Sequence, residues 1–296
     1  MPADAGAPAP APAFSVAPGS SIAALLNSAP LDPLETRILI MHALQLSRVQ
    51  LITRSERVLT QEETQRLTAL FQRRIQGEPI AYIVGKREFY GLAFAVTPAV
   101  LIPRPDTELL VDLALERLSQ NGRVLDLGTG SGAIAIAIAH SRPDASVTAL
   151  DASTDALEIA RLNAATHGVS VNFLLSDWYQ ALAGQRFDII VANPPYIVSG
   201  DAHLSQGDLR YEPLAALTDH ADGLSALRSI IAGAATHLES GGWLLMEHGY
   251  DQAANVRDLL TAQGFGEVQS WQDLAGIERA SGGVKTGDVS TQTTAR

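Results

Sequence analysis

The sequence predicts an α/β protein with a mostly parallel sheet, preceded by a small N-terminal helical domain. Three observations carry this. Between residues 123 and 247, short apolar runs alternate with helical stretches, the pattern of strands joined by right-handed crossovers. One of those runs passes directly into a glycine-rich turn, Gly128-Thr129-Gly130-Ser131-Gly132, and a helix start. Residues 21–77 place their apolar side chains at helical spacing. A chain of 296 residues with 46% hydrophobic and 18% charged residues is long enough, and ordinary enough in balance, for one large or two average domains.

Residues 1–20 are rich in Ala and Pro and hold no Lys or Arg, so they read as a disordered leader. A signal peptide or mitochondrial targeting segment needs basic residues there, which leaves the cytoplasm as the default location. Residues 21–85 read as a helical recognition domain with no chemistry visible in it. Ile22, Leu25 and Leu26 share a face, and Leu34, Ile38, Ile40, Met41, Leu44 and Leu46 suit a second helix with Pro33 in its first turn. Thr60 and Glu63 form a capping box. The helix it opens carries Leu67, Leu70, Phe71 and Ile75, with Arg73 and Arg74 near its end, where cations oppose the dipole.

Residues 86–105 read as a connector: a hairpin about Gly91, then Val100-Leu101-Ile102 and Pro103-Arg104-Pro105. Asp106 is placed to cap the next helix, which stops at Asn121-Gly122. The α/β domain runs from 106 to 287, with strands expected at 123–127, 146–150, 171–175, 187–192 and 243–247, and helices after Gly132, after Thr154 and from about 223 to 237. Val268 and Trp271 suit a late strand, whereas the glycine-rich run 280–287 is a weak strand former. Residues 288–296 read as a disordered tail.

In open α/β sheets, ligands sit beyond the carboxyl ends of the strands, and each motif falls at such an end. The Gly128–Gly132 turn lets a ligand lie against bare main chain at a helix N-terminus. By itself it fits a dinucleotide as well as any other nucleoside. Asp151, ending the second strand, is placed to accept from both ribose hydroxyls, or else to cap the following helix, for which Ser153 and Thr154 also serve. Asp177 and Trp178 end the third strand, as an acceptor for an exocyclic amine and a cover for a ring. The fourth strand, Phe187–Ala192, is stopped by two prolines that cannot donate to a ladder. Asn193-Pro194-Pro195-Tyr196 is therefore a stiff corner with one amide, one unpartnered backbone carbonyl and one aromatic ring, suited to a planar group that bears an NH2.

Asp126 just ahead of the glycines and the Asn-Pro-Pro-Tyr corner argue against hydride transfer. With Asp151 they resemble class I S-adenosylmethionine-dependent methyltransferases that act on amino groups. Within that class the chain resembles the bacterial peptide-chain release factor glutamine methyltransferases. The resemblance rests on Leu101-Ile102-Pro103-Arg104-Pro105-Asp106-Thr107-Glu108, Gly77-Glu78-Pro79 before Phe89-Tyr90-Gly91, Ser176-Asp177-Trp178, Tyr211-Glu212-Pro213-Leu214 and Glu247-His248-Gly249. It runs from about residue 20 to about 280. It implies a Rossmann-like, seven-stranded methyltransferase sheet, S-adenosyl-L-methionine as cofactor, and the glutamine of the Gly-Gly-Gln loop of class I release factors as substrate.

On this reading, Gly128, Thr129, Gly130, Ser131, Gly132, Asp151, Asp177, Trp178 and Asn193 hold the cofactor. Asn193, Pro194, Pro195 and Tyr196 hold the substrate. Catalysis falls to Asn193 and Pro194, whose oxygens accept the two amide hydrogens, and to Tyr196, which stacks on the flat amide. No metal is required. Two rivals share the corner: a glutamine methyltransferase acting on a ribosomal protein, and an adenine-amino methyltransferase acting on a flipped DNA base. A net charge of −11 opposes direct nucleic-acid binding. No apolar run approaches the ~20 residues that span a membrane, the absence of cysteine excludes thiolate chemistry, and the expected state is a monomer.

Overall fold

The computed structural model describes residues 14–287. The chain forms two compact units, one ending at Gly85 and one beginning at Lys86.

The first unit holds α1 (Ile22–Ser28), α2 (Pro33–Leu44), α3 (Arg48–Thr53), α4 (Gln61–Ile75) and α5 (Ile80–Val84). Local chemistry sets their starts. The Asp32 carboxylate accepts from the Leu34 amide with Pro33 as the first helical residue, and Thr60 and Glu63 complete the expected capping box of α4. Ile22, Leu39, Ile40, Leu67 and Phe71 are fully buried between the helices. Residues 14–20 do not behave as the free leader that composition suggests. The Phe14 amide donates to Gln72 Oε1 at 3.1 Å and the Val16 amide to Thr68 Oγ1 at 3.0 Å. The Phe14 ring lies 5.5 Å from that of Phe71, and Val16 is buried. Two apolar side chains in an Ala/Pro background suffice to dock the segment on α4. The rest of the expected leader, 1–13, and the expected tail, 288–296, lie outside the described residues.

The second unit opens with β1 (Lys86–Phe89) and β2 (Leu92–Ala95), an antiparallel hairpin. The hairpin is packed into the second unit. Phe89 and Phe94 are buried in the core beside the sheet, and Asn163 clamps the hairpin: its Oδ1 accepts from the Ala95 amide at 2.7 Å, and its Nδ2 donates to the Ala95 and Ser131 carbonyls at 3.1 and 2.8 Å. Then come α6 (Glu108–Arg117), β3 (Arg123–Leu127), α7 (Ala133–Ser141), β4 (Ser146–Asp151), α8 (Thr154–His167), β5 (Asn172–Leu175), β6 (Phe187–Ala192), α9 (Leu214–Leu217), α10 (Ser225–His237), β7 (Leu238–Glu247), α11 (Ala253–Ala262), β8 (Phe265–Gln272) and β9 (Glu278–Lys285). Asp106 does not cap α6. It lies inside a single 3₁₀ turn, Pro105–Thr107, that leads into the helix.

The sheet has seven strands in the order β5-β4-β3-β6-β7-β9-β8. The pairs from β5 to β7 are parallel, and β9 runs antiparallel between β7 and β8. The glycine-rich run is thus part of a full strand as far as Lys285, against its propensity. A Cβ on Gly282 would come within 2.4 Å of the Leu244 carbonyl oxygen, and one on Gly283 within 3.0 Å of Phe265 Cβ. The glycines are required by close packing, which outweighs their entropic cost. No described helix is long and apolar enough to cross a membrane.

Candidate active site

From β3 the chain moves outward to β4 and β5, then returns across to β6. The order therefore reverses between β3 and β6, where open α/β sheets leave a crevice. Leu127 pairs with Ala192 and Leu127 also pairs with Leu150. Gly128 and Asn193, which follow β3 and β6, and Asp151, the last residue of β4, are thereby brought to one edge.

A cavity of about 380 Å³ opens there, and its lining includes Gly128, Thr129, Gly130, Ser131, Asp151 and Trp178 together with Asn193, Pro194 and Pro195. Gly128, Gly130 and Gly132 all adopt positive φ, a region L side chains rarely enter. Gly132 is further held by packing, since a Cβ there would lie 2.7 Å from Ile136 Cδ1. It sits behind the lining as the start of α7. The Thr129 hydroxyl donates to Asp126 Oδ2 at 2.6 Å, tying the loop to the end of β3. Complete burial pushes the Asp126 carboxyl up to about 7, against the hydrogen bond from Thr129.

Ser153 takes the cap of α8 by accepting from the Ala156 amide, which frees Asp151. The Asp151 carboxylate accepts from the Gly130 and Ser153 amides, each at 2.9 Å, and faces the cavity. Burial raises its pKa, and the backbone donors oppose that rise. Trp178 lines the cavity with φ +45°, and its carbonyl accepts from Ser176 Oγ at 2.8 Å. Asp177 stands apart. It accepts from Gln180 Nε2 at 3.0 Å in an adjoining depression, and Ser176 takes its place in the main cavity.

At the corner, Asn193 Nδ2 donates to Thr107 Oγ1 at 3.1 Å, and Thr107 Oγ1 donates to Glu247 Oε2 at 2.6 Å. The Tyr196 hydroxyl donates to Glu247 Oε1 at 3.2 Å. Tyr196 is absent from the cavity lining and packs against the cluster that holds Leu127, Ala192 and Leu244, so the stacking face expected of it is not presented to the cavity. Two prolines in succession fix the direction of the following residue, and the buried carboxylate draws the phenol away from the cavity. Burial and the nearby Glu247 raise the Tyr196 pKa.

Three more features of the sequence motifs take part in the site. Arg104 and Pro103 line the cavity, and Glu212 pins this strap by accepting from the Ile102 amide at 3.0 Å and from Arg104 Nη2. Phe89 of the hairpin forms part of the wall. Glu247 is the last residue of β7 and fully buried. A carboxylate ending the apolar run Leu244-Leu245-Met246 was the available signal.

The comparisons with known proteins agree in both units. A family model described as PrmC N-terminal domain matches residues 20–85, and one described as Methyltransferase small domain matches residues 105–207. Among solved structures, a methyltransferase from Pyrococcus furiosus is 19% identical with a TM-score of 0.52, over 73% of this chain and 97% of that one. The 16S rRNA N2 G1207 methyltransferase of T. thermophilus is 24% identical with a TM-score of 0.51, over 68% and 49%. These two are likenesses of fold. Curated relatives are nearer. The release factor glutamine methyltransferase of Burkholderia pseudomallei is 56% identical over 89% of this chain and 96% of its own length. That of Neisseria gonorrhoeae is 52% identical over 86% and 94%, and that of Escherichia coli 46% identical over 83% and 90%. At this identity and coverage, with the helical unit and the sheet both matched, the chain belongs to the release factor glutamine methyltransferase family.

Proposed function

We propose that the protein transfers a methyl group from S-adenosyl-L-methionine to the side-chain amide nitrogen of the glutamine in the Gly-Gly-Gln loop of class I peptide-chain release factors, in the cytoplasm. The observation that carries this reading is the corner. The Asn193 NH2 is spent on Thr107, so its Oδ1 is left at the cavity, next to a Pro194 carbonyl that has no partner among the described residues. Two acceptors in fixed positions suit a group with two N–H donors.

The residues present fit the cofactor. A main-chain cradle without Cβ atoms at Gly128 and Gly130 admits close approach, Asp151 offers a carboxylate oriented by two amides to a diol, and Trp178 offers an apolar plane. Bound S-adenosyl-L-methionine supplies an electrophilic methyl on a sulfonium. Asn193 and Pro194 supply the rest. An amide nitrogen is a poor nucleophile because its lone pair is delocalised into the carbonyl. Acceptance of both N–H bonds holds it in one orientation and stabilises the positive charge that develops on them. No general base is needed at the corner, because the nitrogen becomes acidic after transfer. Phe89, Pro103 and Pro195 line the cavity with apolar surface that keeps water off the amide.

The test is a methylation assay with purified release factor, its Gln-to-Ala loop variant, a ribosomal-protein substrate and duplex DNA in parallel. Labelling of the release factor alone, lost in the Gln-to-Ala variant, is the expected result. Equal labelling of that variant, or labelling of DNA, overturns the reading.

A further inference from the structure

The two acceptors at the corner leave Thr107 and Glu247 without a task, yet both are buried and both are hydrogen-bonded in series with Asn193. Counting protons along this series fixes its direction. An ionised carboxylate only accepts, and Glu247 takes the Thr107 proton at 2.6 Å and the Tyr196 proton at 3.2 Å. A threonine hydroxyl has one proton. With that proton on Glu247, Thr107 Oγ1 can only accept from Asn193, at 3.1 Å. The end of the Asn193 amide that faces Thr107 must then be the NH2. Turning the amide over would set oxygen against oxygen with no proton between them. A buried carboxylate also costs several kcal/mol in desolvation, so packing alone gives no reason for one at the end of β7.

We propose that Thr107 and Glu247 are positioning residues that set the polarity of the corner, so that it receives a ligand that donates N–H bonds and rejects one that accepts them. This rests on the amide methyl transfer proposed above and deepens it by assigning what enforces the choice of substrate group.

The same series makes the corner sensitive to pH. Burial pushes the Glu247 carboxyl up to about 7, against the hydrogen bonds from Thr107 and Tyr196 and the charge of Arg279 on β9, while Asp106 from the turn before α6 pushes the same way as burial. Below that value Glu247 carries its own proton and can donate to Thr107. The Thr107 proton is then free, and either end of the Asn193 amide is acceptable to it.

The experiment compares wild type with T107V, T107S and E247Q from pH 6 to 9. It reads kcat, KM for the release factor and cofactor affinity. It also reads the ¹⁵N side-chain amide pair of Asn193, identified as the pair missing from N193A. T107V keeps the shape and loses the hydroxyl, and is expected to lower kcat by roughly ten- to a hundredfold with cofactor affinity within about twofold. T107S is expected to restore kcat to within about threefold of wild type. E247Q can still accept from Thr107 but cannot be protonated, so the acid fall in kcat should disappear. The Asn193 pair should titrate near pH 7 in wild type and not in T107V or E247Q. Wild-type kcat in T107V, a T107S variant as slow as T107V, or an Asn193 pair that neither titrates nor moves in T107V overturns the proposal. If wild type fails to methylate the release factor, the functional reading falls, and the amide pair still decides the polarity of the corner.

Discussion

On the proposed function, a few side chains at the cavity divide the work between binding and transfer. Asn193 acts chiefly on the substrate amide, so N193A is expected to keep cofactor affinity within about threefold while losing most methyl transfer, by at least about a hundredfold. Calorimetry and turnover measured on one preparation check this, and parallel loss of both would remove the division of roles. On the same proposal Asp151 holds the cofactor. D151A is expected to weaken cofactor binding by about 1.5–3 kcal/mol, the range for a lost charge-assisted hydrogen bond, with kcat at saturation changed much less. These two positions were legible in the sequence because each is a polar residue at the carboxyl end of an apolar strand run, where open α/β sheets place their ligands. Thr107 was not legible, since a lone threonine before a helix reads as a cap. Its partner in the structure is Glu247, 140 residues away.

At the scale of elements, β9 and the Leu101–Arg104 strap show what propensity misses. The run Ala280-Ser281-Gly282-Gly283 has little intrinsic preference for a strand, yet it pairs on both sides with β7 and β8. The space between those neighbours excludes a Cβ, as the 2.4 Å approach to the Leu244 carbonyl shows. G282A is therefore expected to lower the unfolding free energy by about 2 kcal/mol, read by urea titration, although alanine is ordinarily the better residue in regular structure. The strap is held in a different way. Glu212 has a fully buried side chain and accepts from both the Ile102 amide and Arg104. E212A is expected to cost about 1–3 kcal/mol, discounted for the partial exposure of Arg104. It should also weaken cofactor binding, because the strap lines the same cavity. Unchanged affinity in E212A would show that the strap is not needed as a wall.

At the scale of the whole molecule, two buried carboxyls contribute strongly to how stability follows pH. Asp126 and Glu247 ordinarily titrate at 3.8 and 4.5, and in the folded protein both lie at about 7. The folded state thus binds these protons more tightly than the unfolded state. Between those ordinary values and about 7, stability falls as pH rises, by about 1.4 kcal/mol per pH unit for each group. Asp219 and Asp273 are shifted downward and act in the opposite sense, below the ordinary carboxylate value. The loss between pH 5 and 7 should be smaller in D126N than in wild type. Equal slopes in urea titrations at the two pH values would contradict the burial argument. The two compact units also have separate cores. A chain starting at Lys86 is expected to retain cofactor binding and to lose activity on the release factor, which a pull-down and a turnover assay check together.

The sequence by itself determined the strand–helix alternation, the glycine turn, the proline-stopped corner and the capped helix α4 of the first unit. All of these are local: they follow from periodicity, from the φ that glycine permits and proline imposes, and from side chains that bond their own neighbours. Only the tertiary structure decided the rest. It closed β9 between two strands against its propensity, drew residues 14–20 onto α4, left Asp177 beside the cavity and kept Tyr196 out of the cavity lining. It also brought Thr107 and Glu247 together behind Asn193. Each of these outcomes depends on which distant groups compete for the same buried space or the same proton, and that competition exists only after the chain has folded.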